Sequence, residues 1–93
     1  MKISHKDNTV NGLFYIEQAG ELLAEMTYKW NDNCIIIDHT FVSPLLAGKG
    51  IGKQLVDQAV AFAREKHITI IPTCWFVKKI LNSSEHYQDV LHL

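Results

Sequence analysis

Gly48, Gly50 and Gly52 fall at alternate positions between an apolar run, Cys34–Val42, and a segment of helical period. The run reads as a buried strand, and Leu55, Val56, Ala59, Val60 and Ala63 fall on one side of the helix that follows. Strand, glycine loop and helix in that order aim backbone N–H groups at one spot. That spot carries the positive end of the helix dipole and suits a phosphate or pyrophosphate. A missing Cβ lets an anion come close to the backbone. Two other residues have types fit for nucleophilic or acid–base work. Cys74 ends the next strand, Ile68–Cys74, and His39 lies with Asp38 and Thr40 in a strand otherwise apolar. A thiol attacks only as thiolate, so it needs a base or cation beside it, and His39 on the adjacent strand is the natural partner. The bland alternatives stand beside these: a small buried hydrophobe for Cys74, and a core histidine satisfied by backbone for His39. Cys34 reads as strand packing.

Three glycine-loop chemistries compete. A dinucleotide fingerprint needs a third glycine where Lys53 stands, and an acidic residue about twenty positions on. His67–Ser84 contains no Asp or Glu. A P-loop fits at Gly52-Lys53 but meets Ala47 and Gln54 where its first glycine and its hydroxyl belong. The third is the acyl-CoA loop, Q/R-x-x-G-x-G/A, which holds a pyrophosphate through backbone amides.

His39–Val56, HTFVSPLLAGKGIGKQLV, resembles the acetyl-CoA motif of the GCN5-related N-acetyltransferases. With IIPTCWFV (Ile70–Val77) and HYQDV (His86–Val90), the chain resembles the small, single-motif branch of that superfamily from about Phe14 to Val90. The most specific matches are His39-Thr40, Gly48–Gly52 and Pro72-Thr73-Cys74. The resemblance implies acetyl-CoA, or coenzyme A, as cosubstrate. Gly48, Lys49, Gly50, Ile51, Gly52 and Lys53 would hold its pyrophosphate. The backbone of Thr40, Phe41 and Val42 would take the pantetheine arm as a sheet edge takes a peptide. His39 and Cys74 would be the catalytic pair at the thioester. Lys49 and Lys53 either meet phosphates or are solvated surface lysines. Tyr87 either protonates the leaving thiolate or packs against the sheet; packing is the preferred reading. The Arg or Gln that opens the family's loop is Ala47 here, so one side-chain contact is missing and the backbone cradle stays.

Those residues need a scaffold. Residues 1–93 read as a single domain, long enough to bury one core. The fold class is α/β: a mixed, mostly antiparallel sheet of four or five strands with one parallel strand–helix–strand crossover. Turns are expected at Asn11-Gly12, Ala19-Gly20 and Asn31-Asp32-Asn33. A polar edge strand around Ile3, a strand Leu13–Gln18 and a strand Glu21–Trp30 come first. In the last of these Leu22, Ala24, Met26, Tyr28 and Trp30 share one face. The helix runs to about Lys66, and Pro72 should stop pairing of the strand after it. Trp75–Leu81 is a short helix, and a last helical turn falls within Glu85–Leu91. Trp30 and Trp75 are core or rim.

The net charge of −1 gives no general pull toward nucleic acid. No apolar stretch reaches membrane-span length, and the N-terminal MKISHKDN has no apolar signal core, so a cytoplasmic protein without membrane attachment is expected. Five histidines and two cysteines show no metal-ligand spacing, and no metal is expected. The expected activity is transfer of acetyl from acetyl-CoA to an unidentified amine, by a monomer or weak dimer. Only the turn Ala19-Gly20 separates the first strands, where larger relatives carry helices. That implies an open acceptor site suited to a protein or peptide end. A coenzyme A-binding module with little catalysis and a non-catalytic interaction domain are the alternatives.

Overall fold

The computed structural model describes residues 2–92. Five strands form one sheet in chain order: β1 (Ser4–Asp7), β2 (Asn11–Gln18), β3 (Glu21–Asn31), β4 (Cys34–Val42) and β5 (Thr69–Pro72). The first four pair antiparallel, and β5 lies parallel to β4. The crossover between them is α1 (Ile51–Lys66), and α2 (Trp75–Leu81) follows β5. The expected mixed sheet is the observed one.

α1 is a 16-residue helix because its apolar residues recur at helical spacing; Leu55, Val56, Ala59, Val60 and Ala63 are all buried. Removing Leu55 or Val56 from water contributes about 1.5–3 kcal/mol each. The helix stops at His67, which adopts a left-handed conformation (φ 57°) and donates its N–H to the carbonyls of Ala63 and Arg64. Arg64 and Lys66 lie in the last turn, where the dipole favours cations.

Two bulges decide which side chains face α1. Between Ile16 and Glu17 the register slips, and Leu23 is the extra residue on β3. Ala24, Met26 and Tyr28 are buried as expected, but Leu23 turns in at 5% exposure and Leu22 turns out at 39%. The expected inward Leu22 is corrected by that inserted residue, because a one-residue slip exchanges the two faces. The second bulge puts an extra residue, Asp38, into β4: Tyr28 pairs with Ile37 and Thr27 with His39. Inward positions therefore run Ile35, Ile37, Thr40, Val42, opposite the buried Tyr28, Met26 and Ala24 from Ile37 onward. His39 and Phe41 face the other way.

The C-terminal segment also departs from expectation. Only Glu85–Tyr87 forms a 3-10 turn. Leu91 instead makes a parallel bridge with Ile70, and His92 N–H donates to the Ile70 carbonyl at 2.9 Å. The sheet edge beside β5 offered unpaired backbone groups, and these residues satisfy them.

Candidate active site

β5 stops at Pro72, opposite Ile37, while β4 runs on to Val42. Pro72 has no N–H to continue the ladder. The Ile37 carbonyl closes the pairing: it accepts from the N–H groups of Thr73 and Cys74, both at 3.1 Å, and from Thr73 Oγ1 at 3.2 Å. Past this point Asp38–Val42 has no pairing with β5, and the two strands part. The backbone of Thr40, Phe41 and Val42 borders the gap.

Cys74 sits at the mouth of this gap as the residue before α2. Its Sγ lies 3.6 Å from Thr40 Oγ1, the neighbour that faces the α1 side of β4. Burial pushes the Cys74 thiol up. That effect is outweighed by the Thr40 hydroxyl and by the backbone N–H groups of Val77, Phe76 and Thr40, so the thiol lies below its ordinary value. The expected histidine partner is absent from this set. His39 projects from the opposite face, where its Nε2 is 3.5 Å from Glu25 Oε2. Glu25 pairs with Phe41, so His39 and Glu25 are diagonal neighbours across β3 and β4. Sequence spacing placed His39 on the right strand, but the Asp38 bulge turned it outward. Glu25 was missed because it is an unremarkable polar position in a strand pattern.

The glycine loop lies one turn further on. A short 3-10 turn, Pro44–Leu46, is capped by the Ser43 hydroxyl, which accepts from the Leu45 N–H. Gly48 and Gly50 have φ of 77° and 68°, a region that L side chains rarely adopt. Gly50 is the N-cap of α1 and offers no side chain to it, and no acidic residue lies in the first turn. The first intrahelical bond runs from Gln54 N–H to the Gly50 carbonyl at 3.1 Å. The N–H groups of Ile51, Gly52 and Lys53 thus point out of the helix start without a helical partner. A 16-residue helix with this start fits a bound phosphate group.

Gly52 and Lys53 each have a partner within the protein. Gly52 is buried, and a Cβ on it would meet the ring of Phe76 from α2 at 2.5 Å. Its glycine makes room for a helix–helix contact rather than for an anion. Lys53 Nζ is 2.9 Å from Asp57 Oδ2 one turn along, a pairing that holds the ammonium above its ordinary value. Tyr87 is buried and donates its hydroxyl to Asp57 Oδ1 at 2.9 Å, in keeping with the packing role. Lys49 is exposed in the loop. Trp75 is 72% exposed and lies under Lys79 Nζ, 5.2 Å from the ring centroid. Among the described residues no helix is long and apolar enough to cross a membrane.

Comparisons with known proteins identify the family and the fold. A family model described as GCN5-related N-acetyl-transferase matches residues 13–90. No curated protein matches the sequence. The solution structure of a GCN5-like protein from Staphylococcus aureus is 41% identical, covers 98% of this chain and 87% of its own, and superposes with a TM-score of 0.78. A ribosomal-protein-alanine N-acetyltransferase from Brucella melitensis biovar Abortus shares 17% identity over 81% of this chain and 61% of its own, with a TM-score of 0.65. A GNAT family acetyltransferase from Elizabethkingia anophelis, with acetyl-CoA bound, shares 18% over 80% of this chain and 52% of its own, with a TM-score of 0.59. At these identities the last two show likeness of fold alone.

Proposed function

From its membership of the GCN5-related N-acetyltransferase family, we propose that this chain transfers the acetyl group of acetyl-CoA to the amine of a peptide or protein, in the gap between β4 and β5. Acetyl-CoA is the cosubstrate of this family. When bound it supplies an activated acyl group as a thioester. Three features along the chain support the reading. These are the uncapped start of α1, the unpaired β4 edge at Thr40–Val42, and the Thr40–Cys74 contact where the strands part.

Each of this chain's residues then has one task. The N–H groups of Ile51, Gly52 and Lys53, with those of the Gly48–Gly50 loop, bind pyrophosphate without a side-chain contact from Ala47. The β4 edge holds the amide-bearing arm. Thr40 and Cys74 border the thioester sulfur and carbonyl. His39, held by Glu25 on the opposite face of β4, takes the proton that the acceptor nitrogen loses when the amine enters the gap from that face. Thr27 and Asp38, the register partner and chain neighbour of His39, line a groove of about 250 Å³ that runs on to Asn11–Leu13 of β2.

A second reading has Cys74 accept the acetyl group first and pass it on. The observation favouring it is the position of Cys74 Sγ, 3.6 Å from Thr40 Oγ1, among groups that hold the thiol below its ordinary value. One experiment separates the two. Protein is incubated with acetyl-CoA alone, then with a panel of peptide amines, and followed by intact mass. Direct transfer gives acetylated peptide, no acetylated protein, and retained turnover in Cys74→Ala. A relay gives protein heavier by one acetyl group, lost in Cys74→Ala together with turnover. No acetylated product with any amine, despite binding, leaves a coenzyme A-binding module.

A further inference from the structure

The end of the β4–β5 ladder remote from Cys74 carries a second sulfur with a base beside it. Cys34 opens β4, Thr69 opens β5, and the two are register partners. Their neighbours Ile35 and Ile70 are fully buried toward α1, so Cys34 and Thr69 project from the face that α1 leaves free. The chain returns to this spot at its C-terminal end, where the His92 N–H is fixed to the Ile70 carbonyl. Three side-chain atoms close a triangle: Cys34 Sγ to Thr69 Oγ1 at 3.1 Å, Cys34 Sγ to His92 Nδ1 at 3.3 Å, and Thr69 Oγ1 to His92 Nδ1 at 3.2 Å. The backbone of each member is tied into the sheet, Thr69 through its N–H to the Asn33 carbonyl at 3.3 Å. Cys34 is half-buried and His92 exposed, so a small molecule can reach the sulfur. Acetyl transfer as described above uses none of these groups.

A thiol within hydrogen-bond distance of an imidazole nitrogen is the arrangement of an activated sulfur nucleophile. After the proton moves to Nδ1, that N–H and the Thr69 hydroxyl can both donate to the sulfur. An internal partner is out of reach. Cys74 lies beyond the other end of a four-rung ladder, about 10 Å long at ~3.3 Å per residue, and both cysteines are free thiols. The electrophile must therefore come from solution.

We propose that Cys34, with His92 as its base and Thr69 as the hydroxyl that orients the pair, is a thiol–disulfide exchange site for low-molecular-weight disulfides. His92 Nδ1 takes the proton of the Cys34 thiol. The thiolate attacks one sulfur of the disulfide, and that S–S bond breaks as the new bond to Cys34 forms. The departing thiolate takes the proton back from His92. The disulfide is the only co-reactant, and the product is a mixed disulfide on Cys34.

The test uses oxidised glutathione with the Cys74→Ala protein, so that one thiol remains, and follows mixed-disulfide formation by intact mass and peptide mapping. One glutathione adduct at Cys34 is expected, absent when Cys34→Ser is added. His92→Ala should slow its formation by roughly tenfold or more at pH 7, and the gap should close as the pH is raised. His92→Asn should be equally slow, because an amide accepts a hydrogen bond without taking the proton. Equal rates for His92 and both variants at pH 7, or an adduct rate no faster than that of a short cysteine peptide, would overturn the proposal.

Discussion

Cys74 Sγ lies 3.6 Å from Thr40 Oγ1 across two parallel strands whose last paired rung is Ile37 with Pro72. The contact bridges the gap where the sheet opens. It also sets the chemistry of the thiol, because the Thr40 hydroxyl is the foremost of the groups that offset its burial. Thr40→Val keeps the side-chain volume and removes the hydroxyl. The Cys74 thiol should then move up, and alkylation of Cys74 by iodoacetamide in a Cys34→Ser background should slow at pH 7 and recover at higher pH. An unchanged pH profile would mean that the backbone N–H groups of Val77 and Phe76 hold the thiolate without Thr40.

The His39–Glu25 pair predicts a split between binding and chemistry. His39→Ala should lower kcat for amine acetylation by roughly 10²–10⁴-fold with the KM for acetyl-CoA little changed. Glu25→Gln should lower kcat by a smaller factor, since it positions the imidazole without touching substrate. Steady-state kinetics checks both. Equal loss of kcat and acetyl-CoA affinity would assign His39 to the binding edge instead.

Much of this scaffold is legible in the sequence. The bounds of β4 follow from its apolar run, the end of α1 from Arg64, Lys66 and His67, and the start and stop of α2 from Trp75 and Asn82. β5 ends at Pro72 for the reason its chemistry gives. The bulges are not legible, because an inserted residue leaves no mark in composition: Leu22 and Leu23 are both leucine, and Asp38 and His39 are both polar. The first bulge decides which leucine joins the core, and the second turns His39 away from Cys74. The Tyr28–Asp7 hydrogen bond and the Cys34–Thr69–His92 triangle join residues far apart in sequence. No local pattern encodes such meetings.

The role of Gly52 is a packing prediction. A Cβ there would press on the Phe76 ring, so Gly52→Ala should destabilise the fold by about 1–3 kcal/mol, as overpacking does. Trimming the ring in Phe76→Leu should offset part of that cost. A double-mutant cycle by urea unfolding reads the coupling directly. Additive effects would show that the ring moves aside freely.

Acid should weaken the edge of the sheet that holds β1. His5 Nε2 is 2.7 Å from the Tyr28 hydroxyl, which donates to Asp7. Burial holds the His5 imidazole below its ordinary value of 6.5; Asp7 opposes this and Lys66 adds to it. Above pH 6.5 neither folded nor unfolded chain carries a proton there, and the site is neutral to stability. Below 6.5 the unfolded chain binds the proton first, so stability falls until the folded-state value is passed. Asp7 works in the same direction lower down. Burial raises its carboxyl, but Tyr28, Thr9 and Trp30 bind the charged form and hold it below 3.8. Its stabilisation is present above 3.8 and is lost as pH falls through the folded-state value. The urea midpoint should therefore decline from pH 6.5 downward, and His5→Gln should abolish the upper part of that decline while leaving the part below 3.8.

On the proposed function, the backbone from the start of α1 to the mouth of the β4–β5 gap holds acetyl-CoA. Titration of ¹⁵N-labelled protein with acetyl-CoA, followed by amide chemical shifts, tests it most directly. Saturable shifts are expected at Gly48, Gly50, Ile51, Gly52 and Lys53, at Thr40–Val42, and at Cys74. Little change is expected at Cys34 or His92, and the loop shifts should be lost in Gly50→Val, whose side chain cannot readily adopt the left-handed backbone that Gly50 holds. Saturable shifts confined to other residues, or none at millimolar acetyl-CoA, would contradict it.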